Sequence, residues 1–176
     1  MVKKILIALA VVLALFLVVV AAQPGEFRVE RSAIVSAPAA AVFAHVNDFH
    51  RWEAWSPWGK LDPGMKTTFS GSAAGVGAIY YWIGNDKVGE GRMTIVESGQ
   101  GTLVRIKLEF IKPFASTSDT AITFQPDGGG TRVAWVMSGP LGFIEKAMCL
   151  FKNMDAVIGP DFEKGLAQLK AAAEAH

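Results

Sequence analysis

Cysteine is almost missing from this sequence, which has one, Cys149, in 176 residues. A single thiol cannot form a disulfide within the chain, and Cys149 has no spaced cysteine partners of the kind that indicate a zinc site. No histidine lies near it in the sequence that would activate it as a nucleophile. We therefore expect Cys149 to be a small buried hydrophobic residue.

An excess of charge of either sign is also missing. The chain has 17 lysines and arginines against 16 aspartates and glutamates, a net charge of +1. Nucleic-acid-binding domains need a strongly basic surface to neutralise phosphates. Nucleic acid is therefore not expected as a partner.

The motifs of common catalytic and cofactor sites are absent as well. The glycine-rich segment 71–77 lacks the Gly-Lys-Ser/Thr ending of a phosphate-binding loop, and no Gly-x-Ser-x-Gly nucleophile turn occurs. His45 and His50 are five residues apart and do not share a helical face. The acidic residues of the predicted strands fall on their solvent side: Glu90, Glu97 and Glu109. The sequence predicts no catalytic residue, no metal site and no cofactor.

One long apolar run stands at the N-terminus. Ile5 to Ala22 contain no charged or polar side chain and follow Lys3 and Lys4. As a helix this run would be roughly 27 Å long, close to the hydrocarbon thickness of a bilayer. We expect a single-pass anchor over residues 1–25, including a short linker. The alternative is a signal peptide cleaved after Ala22. The lysines favour a cytoplasmic N-terminus, which places residues 26–176 on the outer side of the cytoplasmic membrane.

Beyond the linker, alternating apolar and polar residues predict a mostly β domain. Gly84-Asn85-Asp86 and Asp127-Gly128-Gly129-Gly130 are typical of tight hairpin turns. Strands so close in sequence pair as an antiparallel meander. The predicted strands are Glu26–Val35, Met65–Ser70, Val76–Ile83, Val88–Glu97, Thr102–Ile111, Thr117–Gln125 and Thr131–Ser138.

Helices are predicted between the first two strands and after the last. Pro38–Val46 reads as a short helix capped by the Ser36 hydroxyl, and a second short piece includes Trp52–Trp55. Leu141–Lys152 reads as a less regular helical stretch. A long C-terminal helix carries one apolar stripe: Ile158, Phe162, Leu166, Leu169 and Ala173. The expected fold is therefore α+β, a curved antiparallel sheet of about seven strands wrapped on the C-terminal helix.

Four segments, in this order, resemble the helix-grip superfamily of SRPBCC or START-like proteins, which includes polyketide cyclases/dehydrases and lipid transport proteins. They read SAPAAAVFAHVNDFHRWEAWSPW, VGAIYYWIGNDKVGEGRMTI, GGGTRVAWVMSG and MDAVIGPDFEKGLAQLK. The resemblance covers most of Phe27 to Glu174. It implies that residues 26–176 form a helix-grip domain with a hydrophobic cavity between the sheet and the last helix.

The resemblance also implies an apolar small-molecule ligand, such as a lipid, a quinone or a polyketide-like compound. Aromatic and methionine side chains suit such a site because they fit irregular apolar shapes. A core filled by the same residues is the alternative. The ligand-binding residues predicted on this basis are Trp52, Trp55, Tyr80, Trp82, Met93, Ile106, Leu108, Phe110, Trp135, Met137, Phe162 and Leu166.

Two further points stay open at this stage. Arg31 is the one charge on an apolar strand face, where it either meets a ligand's acidic group or pairs with an acid such as Glu109 or Asp119. Gly89 and Gly91 fall on the same strand face as Met93, where they either leave room for a ligand or let the C-terminal helix or the curve of the sheet approach closely. The leading hypothesis for function is membrane-tethered binding or carriage of an apolar molecule. The alternatives are a polyketide cyclase or aromatase and a partner-binding domain with an inert, filled cavity.

Overall fold

A computed structural model describes residues 1–175, and its strands form one antiparallel sheet. The seven strands found in these residues are β1 (Glu26–Val35), β2 (Lys66–Gly71), β3 (Ala78–Ile83), β4 (Glu90–Gly99), β5 (Leu103–Lys112), β6 (Ser116–Asp127) and β7 (Gly130–Pro140). The helices are α1 (Val2–Ala21), α2 (Ala39–Val46), α3 (Phe143–Cys149) and α4 (Met154–Glu174), with 3₁₀ turns at Phe49–Ala54 and Trp58–Lys60. The predicted α+β helix-grip fold is confirmed.

The sheet has the order β1-β7-β6-β5-β4-β3-β2, so the first strand lies beside the last. The pairing of β1 with β7 runs from Glu26 opposite Pro140 to Val35 opposite Thr131. Strand β4 has register irregularities against β5 at Glu90/Gly91 and between Ile95 and Glu97. Irregularities of this kind bend a strand and increase its twist, and they help the sheet curve.

The concave face of the sheet carries the apolar residues that alternation predicted. One row of paired residues crosses the strands at mid-height and is buried: Val29, Met137, Thr120, Ile106 and Ile95. The opposite parity carries ion pairs in water, such as Arg92 with Glu109 and Arg105 with Glu97. Helices α4 and α2 and the first 3₁₀ turn cover the concave face.

A glycine lets α4 pack closely against the sheet at Arg31. A Cβ at Gly159 would overlap the Arg31 guanidinium, so this glycine leaves the arginine its place beside the helix. Arg31 donates to Asp155 Oδ1 at 2.7 Å and to Glu163 Oε1 at 2.7 Å, one acid on each side of Gly159. Arg31 therefore pairs with acids, as one of the two alternatives held. The acids are Asp155 and Glu163, not Glu109 or Asp119, because α4 packs along β1 and brings its own acids to the arginine.

Three local predictions are corrected by the structure. Gly89 lies before β4 at φ +66°, where a Cβ would overlap the carbonyl oxygen of Lys112, so it belongs to a turn. Helix α2 has Pro38 as its N-cap without a side-chain cap, and the Ser36 N–H donates to Glu174 Oε1 at 2.6 Å. Cys149 ends α3 and is only partly buried.

The N-terminal helix α1 projects from the sheet and its helices. It is 20 residues long and, by length and composition, apolar enough to cross a membrane, a property it shares with signal sequences. Its side chains are exposed except that of Val20, which is buried in the last turn. Helix α1 also contacts α3. The chain therefore leaves α1 at the end of the sheet where β1 begins and β7 ends, which we call the tether end.

Candidate ligand-binding site

An aromatic cluster fills the space between α4 and the upper part of the sheet. Trp135 on β7 stacks on Phe162 of α4 with ring centroids 4.2 Å apart. The indoles of Trp55 and Trp58 meet Trp135 edge-on at 5.5 and 5.7 Å. Trp135 and Trp55 are 2 % and 0 % exposed. This part of the predicted cavity is a packed core.

The indole N–H groups of Trp52 and Trp55 also form hydrogen bonds with carbonyl oxygens at the C-terminal end of α2. Trp52 Nε1 donates to the carbonyl oxygen of Val46 at 2.9 Å, and Trp55 Nε1 donates to that of His45 at 3.1 Å. The last carbonyls of a helix have no partner within the helix. The three-residue spacing of these tryptophans therefore brings two donors to the end of α2.

Toward the tether end, the concave face is less completely buried. One row of residues crosses it there, from Phe27 on β1 past Gly139 to Ser118, Leu108, Met93 and Tyr80. The apolar members of this row are only partly buried, unlike those of the mid-height row. Met154 and Ile158 of α4 pack against the same core from the helix side. We call these seven residues the open groove.

Trp82 and Phe110 border the groove nearest the tether end. Their rings meet edge-on at 5.7 Å, and Trp82 Nε1 donates to the carbonyl oxygen of Val88 at 3.0 Å. A Cβ at Gly91 would overlap the Trp82 ring. The space left by this glycine is thus occupied by an indole, which settles the two alternatives for Gly91 in favour of close packing.

Three hydroxyls face the groove or its upper edge. Ser118 and Thr120 of β6 are 6 % and 5 % exposed and point to the concave face. Burial raises the pKa of the Tyr80 phenol, and the nearby Glu53 raises it further. The phenol therefore stays protonated at neutral pH and can donate a hydrogen bond. The groove is apolar with a few polar groups, the usual composition of a small-molecule site.

The structure divides the predicted ligand-binding residues into two sets. One set lies in the packed core: Trp52, Trp55, Ile106, Trp135, Met137, Phe162 and Leu166. The other lies in or beside the open groove: Tyr80, Trp82, Met93, Leu108 and Phe110. Sequence reasoning missed Phe27, Ser118, Met154 and Ile158 as groove residues, and Thr120 in the row above them. For β6 the signal was present, because Ser118 and Thr120 share the parity of Ile122 and Phe124.

Two surface depressions lie outside the seven groove residues. One, of about 450 Å³, includes Tyr81, Arg92 and Glu109 on the convex face and extends to Phe110. A second, of about 350 Å³, lies beside α2 and includes Phe43 and Arg51. Within residues 1–175 no group of three or more histidine, cysteine, aspartate or glutamate side chains is placed to hold a metal ion.

Comparison with known proteins adds a family and a fold. The family model described as "Polyketide cyclase / dehydrase and lipid transport" matches residues 26–174. Protein CV1439 of Chromobacterium violaceum is 21% identical, with 87% of this chain and 100% of that chain covered and a TM-score of 0.58. The di-domain ARO/CYC StfQ of the steffimycin biosynthetic pathway is 13% identical, covering 85% of this chain and 51% of that one, at a TM-score of 0.60. Ara h 8.0201 is 10% identical, with 86% and 100% covered and a TM-score of 0.57. No curated protein matches the sequence.

Proposed function

The chain belongs to the polyketide cyclase/dehydrase and lipid transport family, and on that premise we propose that it binds an apolar small molecule in the open groove while α1 anchors it in a membrane. The observation that carries this proposal is the contrast between two adjacent rows of the concave face. The mid-height row is buried, whereas Tyr80, Met93, Leu108 and Phe27 of the next row stay partly exposed. Apolar side chains left accessible in a concave surface favour a ligand that completes their burial.

The groove restricts the chemistry of this ligand. Its floor is made of phenyl, thioether and branched aliphatic groups, which favour a flexible hydrocarbon or an aromatic ring. Ser118, Thr120 and Tyr80 offer hydroxyls for one polar end. The described residues place no charged side chain on the floor row, so we propose a neutral or weakly polar lipid-like molecule. The packed aromatic cluster sets the upper limit of the site.

The anchor is the second part of the proposal. Helix α1 presents apolar side chains all round, as a helix in lipid does, and only Val20 of this helix is buried. Lys3 and Lys4 would keep the N-terminus in the cytoplasm and place the sheet on the outer side. Anchoring confines the groove near the bilayer in which an apolar ligand is dissolved and so raises the ligand's effective concentration.

A matched pair of variants tests the groove. The full chain is purified from membranes and extracted with organic solvent, and the extract is analysed by mass spectrometry beside Met93→Glu and Val96→Glu. Met93 lies on the groove floor, whereas Val96 is an exposed residue of the same strand. A buried carboxylate in the groove should lower occupancy roughly tenfold or more. We expect a bound molecule in the wild type and Val96→Glu and its loss in Met93→Glu; equal extracts from all three would refute the site.

The anchor is tested independently of the groove. Membranes that contain the full chain are washed with alkaline carbonate, and the N-terminus of the retained protein is sequenced. Retention of a chain that still contains α1 is expected. Release of the chain by the wash would refute the anchor. A mature N-terminus at Gln23 would show that α1 is a cleaved signal segment.

A further inference from the structure

Large apolar side chains are exposed around α3, in a part of the chain that the proposed groove does not use. Phe143 and Ile144 are 51% and 53% exposed, and Met148 is 60% exposed. Phe151, two residues after the helix ends, is 87% exposed. Four such side chains within nine residues form a contiguous apolar segment, which is unusual on a surface that faces only water.

The strand ends add to this apolar surface. Ile83 pairs with Glu90, and Glu90 pairs with Lys112, which places the end of β3, the start of β4 and the end of β5 at the tether end. Three more apolar side chains are exposed there: Ile83 at 45%, Ile111 at 45% and Phe114 at 55%. Together with Phe143, Ile144, Met148 and Phe151 they form what we call the apolar collar.

Helix α1 fixes where the collar lies relative to a bilayer. A 20-residue helix is about 30 Å long, the full thickness of the hydrocarbon core. Helix α3 contacts α1, and the buried residue of α1 is Val20, in its last turn. A segment that packs on the last turn of a spanning helix lies at the boundary between hydrocarbon and headgroups.

The route of the chain holds the collar in this place. The four residues Ala22–Gly25 join α1 to β1, and the Leu141 N–H donates to the carbonyl oxygen of Gly25 at 2.8 Å. This bond joins the linker to the segment that leads into α3. The sheet therefore cannot move far from the membrane surface, and α3 stays beside α1.

We propose that the apolar collar is inserted in the headgroup region of the bilayer that α1 crosses, so that the open groove faces the lipid. This inference rests on the proposed membrane anchor and adds a second membrane contact with a defined orientation. Lys146 and Lys152 lie in or beside α3 together with Glu145. Because basic and acidic groups are mixed there, burial of apolar surface drives insertion. Insertion should therefore be insensitive to ionic strength and should not require anionic lipid.

Fluorescent labels at single cysteines test the orientation. The full chain with Cys149→Ser is reconstituted in phosphatidylcholine vesicles and labelled with a nitrobenzoxadiazole group at Met148→Cys, Phe151→Cys, Val76→Cys or Leu9→Cys. Val76 is also exposed, at 57%, but it lies before β3, at the opposite end of the sheet. Leu9 lies within α1 and reports the anchor.

Quenching by nitroxide-labelled phosphatidylcholine is the readout. We expect labels at residues 148 and 151 to emit at shorter wavelength and lose most of their emission to the nitroxide lipid, at low and high salt alike, while the label at residue 76 behaves as in water. If residue 9 is quenched and residues 148 and 151 behave like residue 76, the collar proposal fails and the anchor stands. If residue 9 is not quenched, the anchor fails and the collar proposal fails with it.

Discussion

Gly165 in α4 offers a decisive test of how the helix sits on the aromatic cluster. It is buried, and a Cβ at this position would lie 2.8 Å from Cζ3 of Trp135 and 3.3 Å from Cδ of Pro57. The Trp135 ring cannot easily move away, because it stacks on Phe162 at 4.2 Å and meets Trp55 and Trp58 on other sides. The Gly165→Ala change therefore forces a methyl group into a filled space.

Two opposing effects decide the sign of this change. Alanine in place of glycine within a helix stabilises by about 1 kcal/mol. Overpacking a filled core destabilises by about 1–3 kcal/mol. We expect overpacking to exceed the gain, with a net loss of about 1 kcal/mol in the free energy of unfolding. In a Trp135→Phe background the outer ring atoms are gone, so Gly165→Ala should stabilise by about 1 kcal/mol.

The measurement is urea unfolding of the full chain in a mild non-ionic detergent. Tryptophan fluorescence reports the sheet domain, because the five tryptophans lie between residues 52 and 135 and none lies in α1. Ala167→Gly, at an exposed position of the same helix, measures the helix-propensity effect alone and should cost about 1 kcal/mol. A stabilising Gly165→Ala in the wild type, or the same loss with and without the Trp135 indole, would refute this account of the packing.

Three further outcomes follow from the same contacts. Trp135→Ala should lower the unfolding free energy by about 3–5 kcal/mol, measured by urea titration, because it empties the centre of a packed cluster; a loss below about 1 kcal/mol would contradict that packing. Trp52→Phe keeps a ring but leaves the buried Val46 carbonyl without its indole donor, so it should cost about 1–3 kcal/mol, and a neutral result would show that this bond is dispensable. The Arg31 guanidinium holds the pKa of Asp155 below its usual 3.8, so the pair's stabilisation is complete above that pH and disappears as the pH falls through the lowered pKa. Asp155→Asn should accordingly lower the urea midpoint at neutral pH and leave it unchanged in strong acid; an equal effect at both would exclude the ion pair as the cause.

The sequence predicted the order of elements well because most strands and the last helix bury one face, although β2 is exposed throughout. Alternation in β5 and β7 and the stripe from Ile158 to Ala173 identified the inward side chains without knowledge of their partners. The family resemblance then supplied the arrangement of sheet and helix. Boundaries were less accurate where a turn depends on backbone conformation, as at Gly89 with its positive φ.

The site was predicted only in outline, because parity identifies a face but not how much of it a helix covers. Trp135 and Met93 both point to the concave side, yet one is stacked on Phe162 and the other lies in the open groove. The difference depends on where α4 is seated, which Gly159 and Gly165 decide through their contacts with Arg31 and Trp135. Such long-range contacts have no periodic signal in the sequence.

The short connection between α1 and β1 limits how a bound molecule could travel. The four linker residues reach at most about 14 Å even when fully extended. The hydrogen bond from the Leu141 N–H to the Gly25 carbonyl shortens the free length of this linker further. If α1 anchors the protein as proposed, the sheet stays at its own bilayer and cannot carry a ligand across an aqueous compartment. The protein would then diffuse only in the plane of the membrane. Delivery to any other membrane or enzyme would therefore require the recipient to come to it.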